Sequence, residues 1–236
     1  MRNNIKRSLP PKFIIYVEGR NTEPSYFNLL KRANAMVYPI KIHQGKGIGS
    51  CIQFVEDAEG HFNSLNKEDR IKYKQKWLVF DYDGHEDFPL AIKKAREDGF
   101  HVAFSSMCIE YWFLLHFINH DGTPIPLSAQ SHSKAQIDRL NAFIDKYNKK
   151  NPQNRPIEQY DTSKEVKDDL FDLMLSEDSV THNRRIIDAY RRAKKIHLSK
   201  KTKGAEFSES VTTIYELLKE LGVILDDGES ISINIM

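Results

Sequence analysis

Two short apolar runs, each ended by acid, constrain this chain more than any other feature. Residues 13–17 (FIIYV) stop at Glu18-Gly19, and residues 77–80 (WLVF) stop at Asp81-Tyr82-Asp83-Gly84. Runs of four or five such residues without polar alternation read as strands buried on both faces, as in a parallel sheet covered by helices. The intervening segments fit that reading. Pro24 suits the first turn of a helix whose apolar face is Tyr26, Phe27, Leu29 and Leu30. A second strand is predicted over 38–43, a helix from near Ser50, a helix over 88–97, a strand over 101–104 and a helix over 109–117. Strands alternating with helices imply right-handed crossovers, so the expected fold class is α/β, a Rossmann-like parallel sheet flanked by helices.

The character changes after Asn119. Residues 121–126 form a turn-rich link, and helical patterns follow over 134–147, 164–175, 182–196 and 210–221, with a loop at 148–155. The expected organisation is a core over 10–120 and a mostly helical C-terminal elaboration over 121–236. With 40% hydrophobic residues the chain can bury a core. Its formal net charge of +2 means that any basic surface must come from segregation of charge. Cys51 and Cys108 form no CxxC pair, which fits a reducing compartment. The basic N-terminus is not followed by a signal-length apolar run, and stretches such as 111–115 are too short to span a bilayer. These features predict a soluble cytoplasmic protein with no membrane association.

The placing of the carboxylates carries the chemistry. In an open parallel sheet the C-terminal ends of the strands form the ligand crevice. Glu18 ends one strand there. Asp81 and Asp83, two apart on extended backbone, point to one side at the end of another. Three anionic oxygen donors in one crevice repel one another unless a cation joins them. Mg²⁺, with Mn²⁺ as a substitute, is the natural partner because it takes one or two carboxylates, waters and phosphate oxygens. An HExxH motif and a Cys/His cluster, which would favour zinc, are both missing from the sequence. An Asp-x-Asp after a strand also occurs as a plain turn or helix cap. The matching Glu18-Gly19 weighs against that reading.

The strings FIIYVEGRNTEPSYFNLL, VFDYDGH and CIEYWFLLHF together resemble the RloB-like, AbiLii-like family of Toprim proteins, with a weaker echo at TTIYELLKEL. The chain departs from the family pattern at Ser106-Met107 and at 208–210, where the family tends to Asn-Pro. The resemblance implies a Toprim core, a Mg²⁺-dependent endonuclease cutting DNA or RNA, and a role in abortive-infection defence against phage beside an ATPase partner encoded nearby. It makes Glu18, Asp81 and Asp83 metal ligands and adds Glu110 as a catalytic candidate. Two other readings stand. WLVFDYDGH also resembles the first motif of haloacid-dehalogenase-type phosphatases, with Asp81 as nucleophile. A binding module for nucleic acid, in which the acids only organise a metal, is the third.

Further candidates surround these. Glu23 either faces the crevice, with Glu110 as a second metal site, or simply favours the helix N-terminus through the dipole. His85 either contacts phosphate or is a surface histidine. Gly45–Ser50 reads as a phosphate-binding loop or a flexible connection. Arg184, Arg185, Arg191, Arg192 and Lys195 head a basic cluster in which 184, 188, 191 and 195 share a helical face. That cluster is either a nucleic-acid contact or a solvated face.

Overall fold

The burial of residues 13–17 on both faces puts the first strand inside the sheet, between two neighbours. The computed structural model describes residues 12–45, 49–82, 84–125, 131–161 and 163–234. In it, β1 (Lys12–Val17) is followed by α1 (Thr22–Arg32), β2 (Ile40–Gln44), α2 (Cys51–Ser64), α3 (Lys67–Ile71), β3 (Tyr73–Asp81), α4 (Phe88–Glu97), β4 (His101–Ser105) and α5 (Glu110–Leu114). The sheet order is β2-β1-β3-β4, and every pair is parallel. Val17 pairs with Val79, and Asp81 pairs with Ser105. β3 and β4 therefore end at one level, two residues beyond the end of β1. Ser50 caps α2 by accepting from the Gln53 amide at 3.3 Å, and Pro89 lies in the first turn of α4, where its missing N–H costs nothing. Trp112 Nε1 donates to Tyr26 Oη at 2.9 Å, tying α5 to α1 inside the core.

The second half runs α6 (His132–Lys150), α7 (Asp168–Leu175), α8 (Arg185–Thr202), α9 (Ile214–Glu220) and the antiparallel pair β5 (Ile224–Asp226) and β6 (Ile231–Ile233). Apolar side chains of both halves belong to one core cluster. The junction is hydrogen-bonded as well as apolar. Thr212 bridges Ser105, the Thr213 amide donates to Phe104 O at 2.8 Å, and the Phe104 amide donates to Thr213 Oγ1 at 2.9 Å. The open edge of β4 is closed in this way, which satisfies backbone groups that would otherwise be buried unpaired.

Several boundaries differ from those expected. The predicted helix over 210–221 starts only at Ile214, because residues 211–213 are spent on β4. The predicted helix over 164–175 starts at Asp168, since Lys164 has left-handed backbone (φ 54°) that a helix cannot include. α3 and the β5–β6 hairpin were not expected. Among the described residues no helix is long and apolar enough to cross a membrane.

The Thr213 contact gives a direct test of how firmly the second half is joined to the sheet. Thr213→Val keeps the shape but leaves the buried Phe104 N–H unpaired, and it should cost roughly 1–3 kcal/mol of unfolding free energy. Urea denaturation of wild type and variant measures it. A loss below about 0.5 kcal/mol, the low end for one net hydrogen bond, would show that α9 does not hold the β4 edge.

Candidate active site

The register brings the acids together. Glu18 is the first residue beyond β1; its amide donates to Val79 O at 3.0 Å, and its Oε2 accepts from the Asp81 amide at 3.4 Å. Asp81 ends β3, and its Oδ2 accepts from the Ile109 amide at 3.1 Å. Glu23, in the first turn of α1, and Glu110, at the start of α5, are 5% and 2% exposed. All four line one cleft of about 490 Å³ with Arg20, His85 and Lys164. Of the two readings of Glu23, the structure therefore shows the one in which it faces the crevice.

Gly19 makes that possible. A Cβ at Gly19 would lie 1.9 Å from Glu23 Oε2, so any side chain there would push Glu23 away from the strand end. Asp83 and residues 46–48 of the glycine-rich loop lie outside the described residues. The positive φ of Gly84 (81°) turns the chain after the acidic segment, and His85 stands half-buried on the cleft wall.

A segment from the second half completes the site. The Tyr160 hydroxyl donates to Glu110 Oε1 at 3.0 Å and lies 3.0 Å from Thr22 Oγ1. Thr22 Oγ1 donates to the Lys164 carbonyl at 2.8 Å, and Asn21 Nδ2 donates to Ser163 O at 2.9 Å. Together these bonds hold Tyr160, Ser163 and Lys164 against the start of α1 and bring Lys164 to the cleft. Neither Tyr160 nor Lys164 was recognisable from the sequence. The stretch 156–167 has no periodicity, and the left-handed backbone of Lys164 leaves no mark in residue type.

Burial, reinforced by like charge, shifts two of the acids upward. Burial raises Asp81 well above the ordinary carboxylate range, the charges of Glu23, Glu110 and Glu18 add to this, and the Ile109 N–H offsets part of it. Burial raises Glu23 to about 7, with Glu110 and Glu18 adding and Lys164 opposing. Cys108, 6% exposed beside them, is raised by burial and by the charges of Glu110 and Asp81, which makes it a poor nucleophile at neutral pH.

The donor chemistry fits a hard divalent cation. The cleft offers carboxylate oxygens in excess of its positive charge, and two of them are held against protonation only at a cost. Among the described residues, no group of three or more His, Cys, Asp or Glu side chains is set to hold a metal by itself. Mg²⁺ does not need such a cage, since waters and phosphate oxygens fill most of its sites. Glu18 and Asp81, joined through the Asp81 amide, are the pair that fits.

The basic cluster is divided by the fold. Arg185 is 5% exposed and spends its guanidinium on Ser176 Oγ, on Glu177 O (both 2.7 Å) and on Asp178 (3.2 Å). Arg192 donates to Leu115 O at 2.7 Å. Both tie α8 to its neighbours, which corrects their reading as a phosphate-binding row. Arg184, Arg191 and Lys195 keep solvent access. Other acids lie away from the cleft: Asp168 and Asp169 open α7, and Asp226 is bound by Lys194 and Tyr190.

A family model described as "RloB-like protein" matches residues 13–221. The comparisons with curated proteins and with solved structures gave no match.

The raised Glu23 predicts a pH dependence of stability in metal-free protein. A carboxyl whose folded pKa (about 7) exceeds its ordinary value of 4.5 binds its proton more tightly when folded. Its contribution is fully present below about pH 4.5 and is lost as pH rises through about 7. In EDTA, unfolding free energy should therefore fall across that window in wild type and fall less in Glu23→Gln. Identical slopes in urea melts at about pH 5 and about pH 7.5 would show that Glu23 does not titrate there.

Proposed function

The chain belongs to the RloB-like family, and from that membership together with its acid cleft we propose that it is a metal-dependent nuclease hydrolysing phosphodiester bonds of DNA or RNA. The observation that carries this reading is the convergence of Glu18, Glu23, Asp81 and Glu110 at the C-terminal ends of parallel strands, with Lys164 at the rim. On the same reading the protein works in the cytoplasm in anti-phage defence, with an ATPase partner.

Glu18 and Asp81 would hold Mg²⁺ or Mn²⁺, with Asp83 as a further candidate ligand. When bound, the metal supplies Lewis-acid polarisation of a phosphoryl oxygen and acidification of water. The chain's own groups do the rest. Lys164 gives a non-bridging phosphate oxygen a positive neighbour. The Tyr160 hydroxyl fixes Glu110 Oε1, which leaves that carboxylate oriented to accept the proton of an attacking water. Glu23, able to carry a proton near neutral pH, is suited to giving one to the leaving oxygen at its Oε atoms. His85, on the cleft wall, is the candidate for contact with the departing strand.

The test is incubation of plasmid, single-stranded DNA and RNA with Mg²⁺ or Mn²⁺ against EDTA. Wild type should cut only with metal. Asp81→Asn and Glu110→Gln should each lower the rate by about a hundredfold or more, in line with the loss of a group acting on a proton or a metal. Tyr160→Phe, which removes only the hydroxyl that orients Glu110, should lower it less. Near-normal cutting by Glu110→Gln would remove that residue from the chemistry. Phosphate release from a small phosphoester without nucleic-acid cutting would replace the reading with a phosphatase, and binding without cutting would leave a recognition module.

A further inference from the structure

A second cavity, of about 1140 Å³, stands apart from the acid cleft. It lies between α6 and the turn that follows α7. The buried side of α6 gives Leu140 and Ile144 to the core. Another side carries Arg139, Phe143, Lys146, Tyr147 and Lys150, spaced i, i+4, i+7, i+8 and i+11, so they form one stripe toward this cavity. Phe143 stacks on Phe117 with centroids 4.4 Å apart and an interplanar angle of 22°, and Tyr147 continues the stack at 6.3 Å and 28°. Phe143 and Tyr147 lie outside the core cluster and keep solvent access.

The charge of the wall is one-sided. Arg185 is spent on Asp178 (3.2 Å) and Arg192 on the Leu115 carbonyl and Asp188 (4.0 Å), which leaves Arg139, Lys146 and Lys150 against Glu177 on this wall. Arg185 is 5% exposed and keeps an Nε without a hydrogen-bond partner. Interleaved aromatic faces and cations are what unpaired bases and their phosphates require, whereas a duplex hides its base faces within its own stack.

Two stretches of chain reach both sites. α5 begins at Glu110 in the acid cleft, and Phe117 lies just past its end, in the groove. Ser133 at the start of α6 lines the cleft, and Phe143 lies ten residues on, about 15 Å at 1.5 Å per residue. We propose that the groove seats single-stranded nucleic acid, with bases stacked on Phe143 and Tyr147 and phosphates on Arg139, Lys146 and Lys150. The strand then runs along α6 toward the acid cleft. The direction of the strand rests on the nuclease reading; the binding itself does not.

Fluorescence anisotropy of the full chain in EDTA, with labelled oligomers (about 15 nucleotides, the upper range of a single-strand site) of dT, of U and of a blunt DNA duplex, tests the groove without catalysis. Single strands should bind more tightly than duplex. Phe143→Ala and Tyr147→Ala should each weaken single-strand binding by about tenfold, the scale of one lost base stack. Lys146→Ala with Lys150→Ala should flatten the log–log salt slope by roughly 0.7 per lost contact, and these solvent-facing positions leave the fold undisturbed. Preference for dT or for U would assign the strand to DNA or to RNA. Full-strength binding in both sets of variants would overturn the proposal, as would wild type that binds no single strand. A dimer broken by Phe143→Ala without any change in oligonucleotide binding would make the groove an interface between copies and overturn it too. Cutting by wild type alongside unaffected groove variants would sink the groove alone, while binding without cutting would sink only the nuclease reading.

Discussion

The parallel pairing of β1 with β3 is the constraint on which the rest of the structure depends. Because the two strands run the same way with Val17 beside Val79, the residue just past β1 lies one register step from the last residue of β3. Those two residues are Glu18 and Asp81, so the sheet that buries FIIYV and WLVF also forces two carboxylates together. The helices that cover the sheet add Glu23 and Glu110 at the same level. Hydrophobic burial of the strands, roughly 1.5–3 kcal/mol for each large apolar side chain, opposes the like-charge repulsion and wins. The repulsion remains in the raised proton affinity of Asp81 and Glu23. Removing either strand's apolar run would remove the confinement and with it the unusual chemistry of the acids.

Local devices then shape that confined charge. The Ile109 amide offsets Asp81, the Tyr160 hydroxyl satisfies one oxygen of Glu110, and the bare Gly19 gives Glu23 room. The amide and the glycine belong to the first half of the chain. Tyr160 comes from the second, fifty residues beyond Glu110, held by Thr22 and by the segment ending at Lys164. The second half is thus structural for the site as well as for the sheet, where Thr212 and Thr213 close the β4 edge. Strain at Lys164 (φ 54°) is compensated by its carbonyl's bond to Thr22, which ties an unfavourable backbone to the position of a cation at the cleft.

What the sequence disclosed and what it withheld divide along the range of the interactions. Strand identity and the acids at the strand ends are local patterns, and both were legible in FIIYVE and WLVFD. Glu110 came from family resemblance and helix position. Tyr160 and Lys164 were invisible because their roles come from contacts 50 to 142 residues distant. Arg185 and Arg192 read as part of a basic row because a helical-face argument sees only neighbours on the same helix. Their partners, Asp178 and the Leu115 carbonyl, lie on other elements. The converse error hid the α6 stripe. Its helix was expected from its pattern, but which side would be left uncovered is decided by Phe117 and by the turn after α7, not by α6 itself.

A nearly neutral chain can still present strong fields if it separates its charges, and this one does so within a single helix length. The cleft at the start of α6 is dominated by carboxylates, and the groove toward its end by cations. A polyanion meeting this surface is attracted to the groove and repelled from the cleft. Binding at the groove therefore needs no metal, whereas a phosphate group entering the cleft calls for positive charge beyond that of Arg20 and Lys164. On the proposed reading, capture and cutting are governed by different ions at different places. Salt weakens the first by competing at Arg139, Lys146 and Lys150. A divalent cation enables the second by reversing the sign of the field between Glu18 and Asp81. The separation is a consequence of the fold, since α6 and the chain that runs on past α5 each pass from the cleft into the groove, so a strand laid along them crosses from one field to the other.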